Sequence, residues 1–232
     1  MNTESSIPLA EFLRPKNVGD IIGQEHLLGD GQSLKVAITS GNLPSMILWG
    51  PPGVGKTTIA RVIANSTDAQ FISISAVLSG VKEIRESVEK AKFSLEQQNK
   101  KTILFIDEVH RFNKGQQDAF LPHIESGLIT FIGATTENPS FEVNSALLSR
   151  CQIYVLKILS LDELNIIIDK VINKFDKIKI DNKAKDIILA YANGDARRLI
   201  NLLEMLINNF KPKIEGNINN KIVEKIISDK TR

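Results

Sequence analysis

Eight consecutive residues have the order and spacing of a loop that binds phosphate. The pattern G-x-x-x-x-G-K-[ST] is satisfied by Gly50-Pro51-Pro52-Gly53-Val54-Gly55-Lys56-Thr57. Glycines let backbone N–H groups approach phosphate, the Lys56 ammonium adds a full positive charge, and the Thr57 hydroxyl can ligate Mg²⁺. Thr58 follows in the same predicted first helical turn. The loop lies between a strand-like run and a helical pattern, a context that a chance match would lack, so we expect a nucleotide site.

A second group of chemically useful residues ends the apolar run TILFID (102–107). Asp107 closes this run and Glu108 follows it. A carboxylate at a strand end is the form expected of the acid that organises Mg²⁺ beside a phosphate loop, so Asp107 is assigned to the metal, through water. Glu108 is assigned as the base that orients and deprotonates the attacking water, which favours hydrolysis. An acidic pair that only solubilises the strand end is the alternative. His110, in the loop that follows, is assigned no catalytic role.

The elements that must position these residues alternate along the first two thirds of the chain. Strands are predicted at the apolar runs MILWG (46–50), QFISIS (70–75), TILFID (102–107), ITFIGAT (129–135) and QIYVLKI (152–158). Helical spacing of apolar residues lies between them, and this alternation predicts five buried strands in a parallel sheet with helices on both faces. From Leu161 onward only helical patterns are evident. We therefore predict an α/β domain over 1–160 and a small all-helical domain over 161–232.

Composition excludes several classes of protein. The chain has 232 residues, of which 42% are hydrophobic and 24% charged, with a formal net charge of +2. One cysteine and three scattered histidines leave no disulfide framework and no metal site built on Cys or His. No apolar stretch is long enough for a membrane span and no secretory signal is evident, which favours the cytosol.

Two longer segments carry a resemblance to a known family. HRFNKGQQDAFLPHIE (110–125) and GATTENPSFE (133–142) resemble the RarA family of AAA+ ATPases, also called MgsA, whose eukaryotic relatives include the Werner helicase interacting protein. The resemblance extends from residue 8 to residue 204. It implies a P-loop NTPase core of the AAA+ type with a five-stranded parallel sheet, followed by a helical lid.

The resemblance also implies roles for residues outside the phosphate loop and the acidic pair. Thr135, at the end of a predicted strand, is expected to sense the γ-phosphate. Ile21 and Ile22 are expected to cover the adenine, although without the resemblance a place in the hydrophobic core is the better interpretation of both. Arg197 of GDARR (194–198) is expected to reach the nucleotide from the lid. Arg150 of SRC (149–151) is expected to enter the active site of a neighbouring subunit.

The family further implies a function, a set of partners and a location. We expect an ATPase that uses ATP and Mg²⁺, is stimulated by DNA at forks, gaps or strand junctions, and maintains replication forks in recombination and repair. A homo-oligomer, contact with single-strand-binding or other replication proteins, and a cytoplasmic, nucleoid-associated location are also expected. The resemblance implies that full-length members continue beyond the lid into an oligomerisation region, so we expect these 232 residues to be either a fragment or a shortened member. A clamp-loader subunit, a Holliday-junction branch-migration ATPase and an adaptor without turnover are the alternatives.

Overall fold

A computed structural model describes the fold for residues 8–175, 177–209 and 216–230. Its strands are β1 Met46–Trp49, β2 Gln70–Ser75, β3 Thr102–Asp107, β4 Ile129–Thr135, β5 Gln152–Val155, β6 Ile178–Ile180 and β7 Gly216–Ile218. The first five form one sheet in the order β2-β3-β4-β1-β5, in which every neighbouring pair is parallel. Parallel strands end at the same edge, so the residues that follow β1, β3 and β4 meet there.

Burial follows the position of each strand in the sheet. β3 and β4 are central, and their apolar residues, such as Phe105 and Phe131, are fully buried. β2 and β5 are the edge strands. On β5, Ile153 and Val155 are 40% and 46% exposed. The prediction of five buried strands is therefore wrong for the two edges, because the length and hydrophobicity of a run do not reveal its place in the strand order.

Helices connect the strands and cover the sheet. Their bounds are α1 Leu9–Phe12, α2 Glu25–Leu28, α3 Ser33–Ser40, α4 Lys56–Ser66, α5 Val81–Gln98, α6 Lys114–Asp118, α7 Leu121–Glu125, α8 Pro139–Glu142, α9 Ser145–Leu148, α10 Leu161–Lys174, α11 Asn182–Ala192, α12 Ala196–Asn208 and α13 Asn220–Lys230. In the described part of the chain, 3₁₀ turns lie at Val18–Asp20 and Val109–Arg111. Across the described residues no helix has both the length and the apolar character needed to cross a membrane.

The C-terminal part of the chain is helical, as its apolar spacing predicts. Ser160 caps α10: its hydroxyl accepts from the Glu163 N–H at 3.2 Å, and the Glu163 carboxylate accepts from the Ser160 N–H at 2.7 Å. The prediction that this part is entirely helical is wrong, because β6 and β7 form a short parallel pair that joins Ile178 to Gly216 and Ile180 to Ile218. Three-residue strands are too short to give a periodic signal, so helices alone were expected here.

The chain divides into two compact units. Their residues are not the same as those of the two predicted domains, 1–160 and 161–232. One unit comprises 15–51 and 55–157, and the other contains 158–232 together with 1–14 and 52–54. Contacts within the second unit explain the N-terminal segment: the Leu9 N–H donates to the Glu204 carboxylate at 2.8 Å, and the Lys174 ammonium lies 3.0 Å from the centre of the Phe12 ring. Residues 1–7 lie outside the described part.

Candidate nucleotide site

The predicted phosphate loop begins between β4 and the segment that follows β5. Trp49 is in register with Thr135, and the next residue, Gly50, donates its N–H to the Thr135 backbone oxygen at 3.2 Å. Gly50 has no room for a side chain, because an added Cβ would lie 2.7 Å from the backbone oxygen of Leu156. The start of the loop is thus fixed beside the end of the strand that carries the predicted phosphate sensor.

Lys56 holds its charge inside this loop. The residue is 8% exposed, and its ammonium group donates to the backbone oxygens of Gly50 at 2.6 Å and Pro51 at 2.9 Å. A phosphate oxygen is a stronger acceptor for an ammonium group than a neutral carbonyl, because both partners are then charged. The buried ammonium group and the loop around it therefore suit an anionic ligand.

The turn into α4 exposes backbone donors to the same loop. Gly55 has φ 101° and ψ 13°, a left-handed conformation that glycine adopts without steric cost. It offers no side chain to cap the first turn of the 11-residue helix α4. Thr57 and Thr58 lie half-buried in that turn. Uncapped N–H groups at a helix N-terminus attract phosphate.

The two predicted acidic residues lie at the end of β3. Asp107 is half-buried and pairs in register with Ser75, and Glu108 follows with φ 55° and ψ 48°. Within the described residues, no group of three or more His, Cys, Asp and Glu side chains forms a metal site. Asp107 and Thr57 offer a carboxylate and a hydroxyl, the oxygen ligands that Mg²⁺ prefers, and Mg²⁺ usually keeps several waters and phosphate oxygens. This donor set fits a magnesium–nucleotide complex.

Thr135 and Glu108 are linked by a side chain to which the sequence analysis gives no catalytic role. The Thr135 residue is fully buried, and its hydroxyl lies 2.9 Å from Nδ1 of His110. The same Nδ1 lies 3.3 Å from the Glu108 carboxylate, and only 7% of the His110 side chain is exposed. The predicted sensor and the predicted base therefore share one buried imidazole.

The predicted adenine-covering segment is attached to the end of β5. Ile21 and Ile22 are half-buried, and Gln24, two residues later, is 4% exposed. The Gln24 amide donates to the Lys157 backbone oxygen at 2.7 Å and accepts from the Lys157 N–H at 3.0 Å, so it imitates a neighbouring strand. His26 Nε2 lies 2.8 Å from the Val155 backbone oxygen. Two anchors thus hold the segment that carries both isoleucines.

Within the second unit, the start of α12 contacts the middle of the phosphate loop. The Gly53 backbone oxygen accepts from the Ala196 N–H at 3.1 Å, and a Cβ on Gly53 would overlap the Asp195 carboxylate. Asp195 also caps α12, accepting from the Arg198 N–H at 2.9 Å. Arg197 is exposed in the first turn of α12. Arg198, the next residue, lies with its guanidinium 4.0 Å from the centre of the Tyr191 ring.

Arg150 lies just after α9 and forms contacts within its own chain. Its Nε donates to the Glu125 carboxylate at 2.7 Å, and its guanidinium also donates to the Ala146 backbone oxygen at 2.7 Å. The side chain remains 36% exposed. Burial raises the pKa of the neighbouring Cys151 thiol to about 12, so the thiol stays protonated, as expected of a packing residue rather than a nucleophile.

Comparison with known proteins agrees with this fold. Residues 46–159 match the family described as ATPase family associated with various cellular activities (AAA), and residues 173–232 match the AAA C-terminal domain. Replication-associated recombination protein A of Escherichia coli K12 is 54% identical over 205 residues, which are 86% of this chain and 46% of that protein. The chain belongs to the RarA family of AAA+ ATPases. The family resemblance and the P-loop NTPase fold class are confirmed.

Two further relatives show how much of a RarA-family protein is present. The Coxiella burnetii replication-associated recombination protein A is 46% identical over 240 residues, which are 100% of this chain and 54% of that protein. The chain therefore spans about half the length of the curated relatives that it matches. A Thermotoga maritima structure titled RuvB Holliday junction branch migration motor has a TM-score of 0.75 and 31% identity, covering 94% of this chain and 73% of that one.

Several residues that shape the site of this RarA-family chain escaped the sequence analysis. His110 follows a recognised acidic pair, but a single loop histidine carries no pattern of its own. The sequence around Gln24 and Glu125 does not distinguish them from ordinary polar surface residues. Only the structure shows the hydrogen bonds of Gln24 with Lys157 and of Glu125 with Arg150. Asp195 had a usable signal, because an Asp directly before a helix is a common N-cap.

Proposed function

We propose that this chain is the nucleotide-hydrolysing part of a DNA-stimulated ATPase that acts in replication-fork maintenance, recombination and repair. The observation that carries the proposal is the meeting of the phosphate loop, the acidic pair and Thr135 at one sheet edge, with Gly50 bonded to Thr135. The same proposal includes a homo-oligomer in the longer protein, contact with other replication proteins, and a cytoplasmic location with the chromosome.

Each residue has a chemical task in the proposed reaction. Lys56 exchanges its carbonyl partners for the terminal phosphates of ATP and neutralises part of their charge. Thr57 and Asp107 would hold Mg²⁺, Asp107 through water, and the ion would supply positive charge to the phosphates. Glu108 takes a proton from the attacking water while the bond between the terminal phosphate and ADP breaks. The Thr135 hydroxyl donates to the terminal phosphate or to the attacking water.

The remaining predicted residues bind the adenine and the phosphates or stabilise negative charge on the transferred phosphoryl group. Ile21 and Ile22 pack against the adenine, and Arg197 contacts the phosphates from α12. Arg150 leaves Glu125 and enters the site of a second copy, where its guanidinium stabilises the charge that develops on the transferred phosphoryl group.

Two variants test the proposed division between binding and chemistry. Lys56→Ala should abolish tight ATP binding, because the variant loses the charge that the loop encloses. Glu108→Gln should bind ATP normally and fail to hydrolyse it, because an amide cannot accept the proton from water. Binding of a nonhydrolysable ATP analogue and release of phosphate should be measured on both. Equal loss of binding in the two variants would contradict the assignment.

A panel of DNA structures separates the proposed role from its nearest rival. The structural similarity to the Thermotoga maritima RuvB Holliday junction branch migration motor favours a branch-migration ATPase as the second candidate. Turnover of the chain should be measured with forked, gapped, blunt and four-way-junction DNA. Stimulation by forks or gaps supports the RarA-type role, whereas stimulation by four-way junctions alone supports the rival.

A further inference from the structure

The His110 side chain contacts both the predicted phosphate sensor and the predicted base. Its Nδ1 lies 2.9 Å from the Thr135 hydroxyl and 3.3 Å from the Glu108 carboxylate. We propose that His110 is a positioning residue, which sets the Glu108 carboxylate relative to Thr135 for attack of water on ATP. This inference rests on the proposed hydrolysis.

The hydrogen-bonding requirements of the three groups indicate where the proton lies. An ionised carboxylate can only accept, so a favourable contact with Glu108 requires a hydrogen on Nδ1 of His110. The Thr135 hydroxyl then accepts from this N–H and from the Glu137 N–H at 3.0 Å, and donates its own hydrogen to the Glu137 backbone oxygen at 3.3 Å. In this arrangement the hydrogen and both lone pairs of the Thr135 hydroxyl have partners. With the proton on Nε2 alone, the Nδ1 lone pair would face the carboxylate.

The backbone around His110 fixes the ring in this place. Glu108 has a left-handed conformation at φ 55°, which turns the chain from β3 into the 3₁₀ turn Val109–Arg111. The Arg111 N–H donates to the Glu108 backbone oxygen at 2.8 Å and closes that turn. Val109 and Phe112 on either side are 0% and 2% exposed, so both ends of the turn are anchored in the core. A left-handed conformation in a residue other than glycine is typical of sites where geometry serves function.

This arrangement gives the imidazole a role that packing alone does not. When the Thr135 hydroxyl donates to a phosphate oxygen, it gives up its bond to the Glu137 backbone oxygen. The Nδ1–H of His110 remains available to both Thr135 and Glu108, so the base is held at a set distance from the sensor while the phosphate binds. Misplacement of a catalytic group by about 1 Å can cost about 10²-fold in rate, which sets the expected size of the effect.

Two substitutions that place an amide nitrogen at different distances from the backbone test the proposal. His110→Asn keeps an N–H near the place of Nδ1, whereas His110→Gln moves it toward the place of Nε2. His110→Gln should lower the turnover of bound ATP by about 10²-fold with unchanged affinity for a nonhydrolysable analogue, and His110→Asn should retain most of the turnover. His123→Gln, which removes a histidine from α7, is the matched control and should leave turnover unchanged.

The outcomes distinguish this role from the proposed activity itself. Absence of turnover on any DNA, both in this chain at high concentration and in a longer chain that assembles, would contradict the proposed hydrolysis. Wild-type turnover with a fully active His110→Gln variant, or with equal losses in the Asn and Gln variants, would overturn the positioning role. A loss that follows analogue affinity or melting temperature, rather than turnover, would overturn it as well.

The proton position can be measured without any turnover. The chain has three histidines, so ¹⁵N-labelled imidazoles give few signals, and the His110→Asn variant identifies those of His110. Nδ1 of His110 should be protonated, and its signal should move in the Thr135→Val and Glu108→Gln variants. The signals of His26 and His123 serve as references. An unprotonated Nδ1, or a signal insensitive to both variants, would overturn the arrangement.

Discussion

Trp49 is the last residue of β1 and the only tryptophan in the chain. It is half-buried, lies in register with Thr135, and accepts the Leu156 N–H at 2.7 Å through its backbone oxygen. Nucleotide binding that rearranges the loop beginning at Gly50 should therefore change its surroundings. We predict that Trp49 fluorescence changes on addition of ATP and Mg²⁺. The Lys56→Ala variant should show no change, and an unchanged wild-type spectrum under conditions where binding is independently saturated would contradict the coupling.

Cys151 allows a test of burial through pH. Its pKa is raised from the ordinary 9.0 to about 12 because burial disfavours the thiolate. At pH 8 the folded chain should thus have about 10³-fold less thiolate than the unfolded chain, and alkylation by iodoacetamide should slow correspondingly. Mass spectrometry of the native and urea-unfolded chain measures both rates. Equal rates would contradict the burial of the thiol.

The same pKa shift fixes the direction in which this residue affects stability. The folded pKa lies above the unfolded one, so the folded state favours the protonated thiol. The stabilising contribution is complete below pH 9 and is lost as the pH rises toward 12. A Cys151→Ser variant should therefore lose less stability than the wild type across this alkaline range.

At the scale of elements, the turn from the phosphate loop into α4 can be tested apart from general stability. An added Cβ on Gly55 meets no atom within 4 Å, so Gly55→Ala should act through its φ of 101° alone. We predict a loss of about 1–2 kcal/mol in the free energy of unfolding, with weaker ATP binding. Urea unfolding and analogue titration measure the two effects.

Gly41 offers a matched control for this substitution. It follows α3 with φ 70°, and its added Cβ also meets no atom within 4 Å. Gly41→Ala should cost a similar amount of stability and leave ATP binding unchanged. If both variants bind ATP normally, the backbone of Gly55 has no special part in the site.

The strands also show which features of the fold sequence patterns can predict. β2, β3 and β4 occupy the predicted residues 70–75, 102–107 and 129–135, because short runs rich in isoleucine and phenylalanine favour a strand. The exposure of β5 could not be predicted, since strand order depends on long-range pairing. Motifs with fixed spacing gave the phosphate loop and the acidic pair. His110 and Gln24 could not be found in this way, because their partners are 25 and 133 residues away along the chain.

At the scale of the whole molecule, Arg150 connects one chain with the next in the proposed assembly. Its present partner Glu125 is 53% exposed, and an exposed ion pair contributes only about 0–1 kcal/mol, so exchange of Glu125 for a phosphate costs little. Glu125→Gln should therefore leave turnover near the wild-type rate. This variant is the control for substitutions of Arg150 itself.

Arg150→Ala should bind ATP and lose about 10³–10⁵-fold in turnover, the range known for arginine fingers. If the arginine acts on a neighbour, an Arg150→Ala copy keeps a complete site and a Glu108→Gln copy keeps a working arginine. Mixing the two inactive proteins should then restore part of the phosphate release. Because this chain spans about half of its relatives, mixing should use high protein concentration with DNA, or a longer chain that assembles. Wild-type turnover by Arg150→Ala would refute the finger, and an inactive mixture would refute its action on a neighbour.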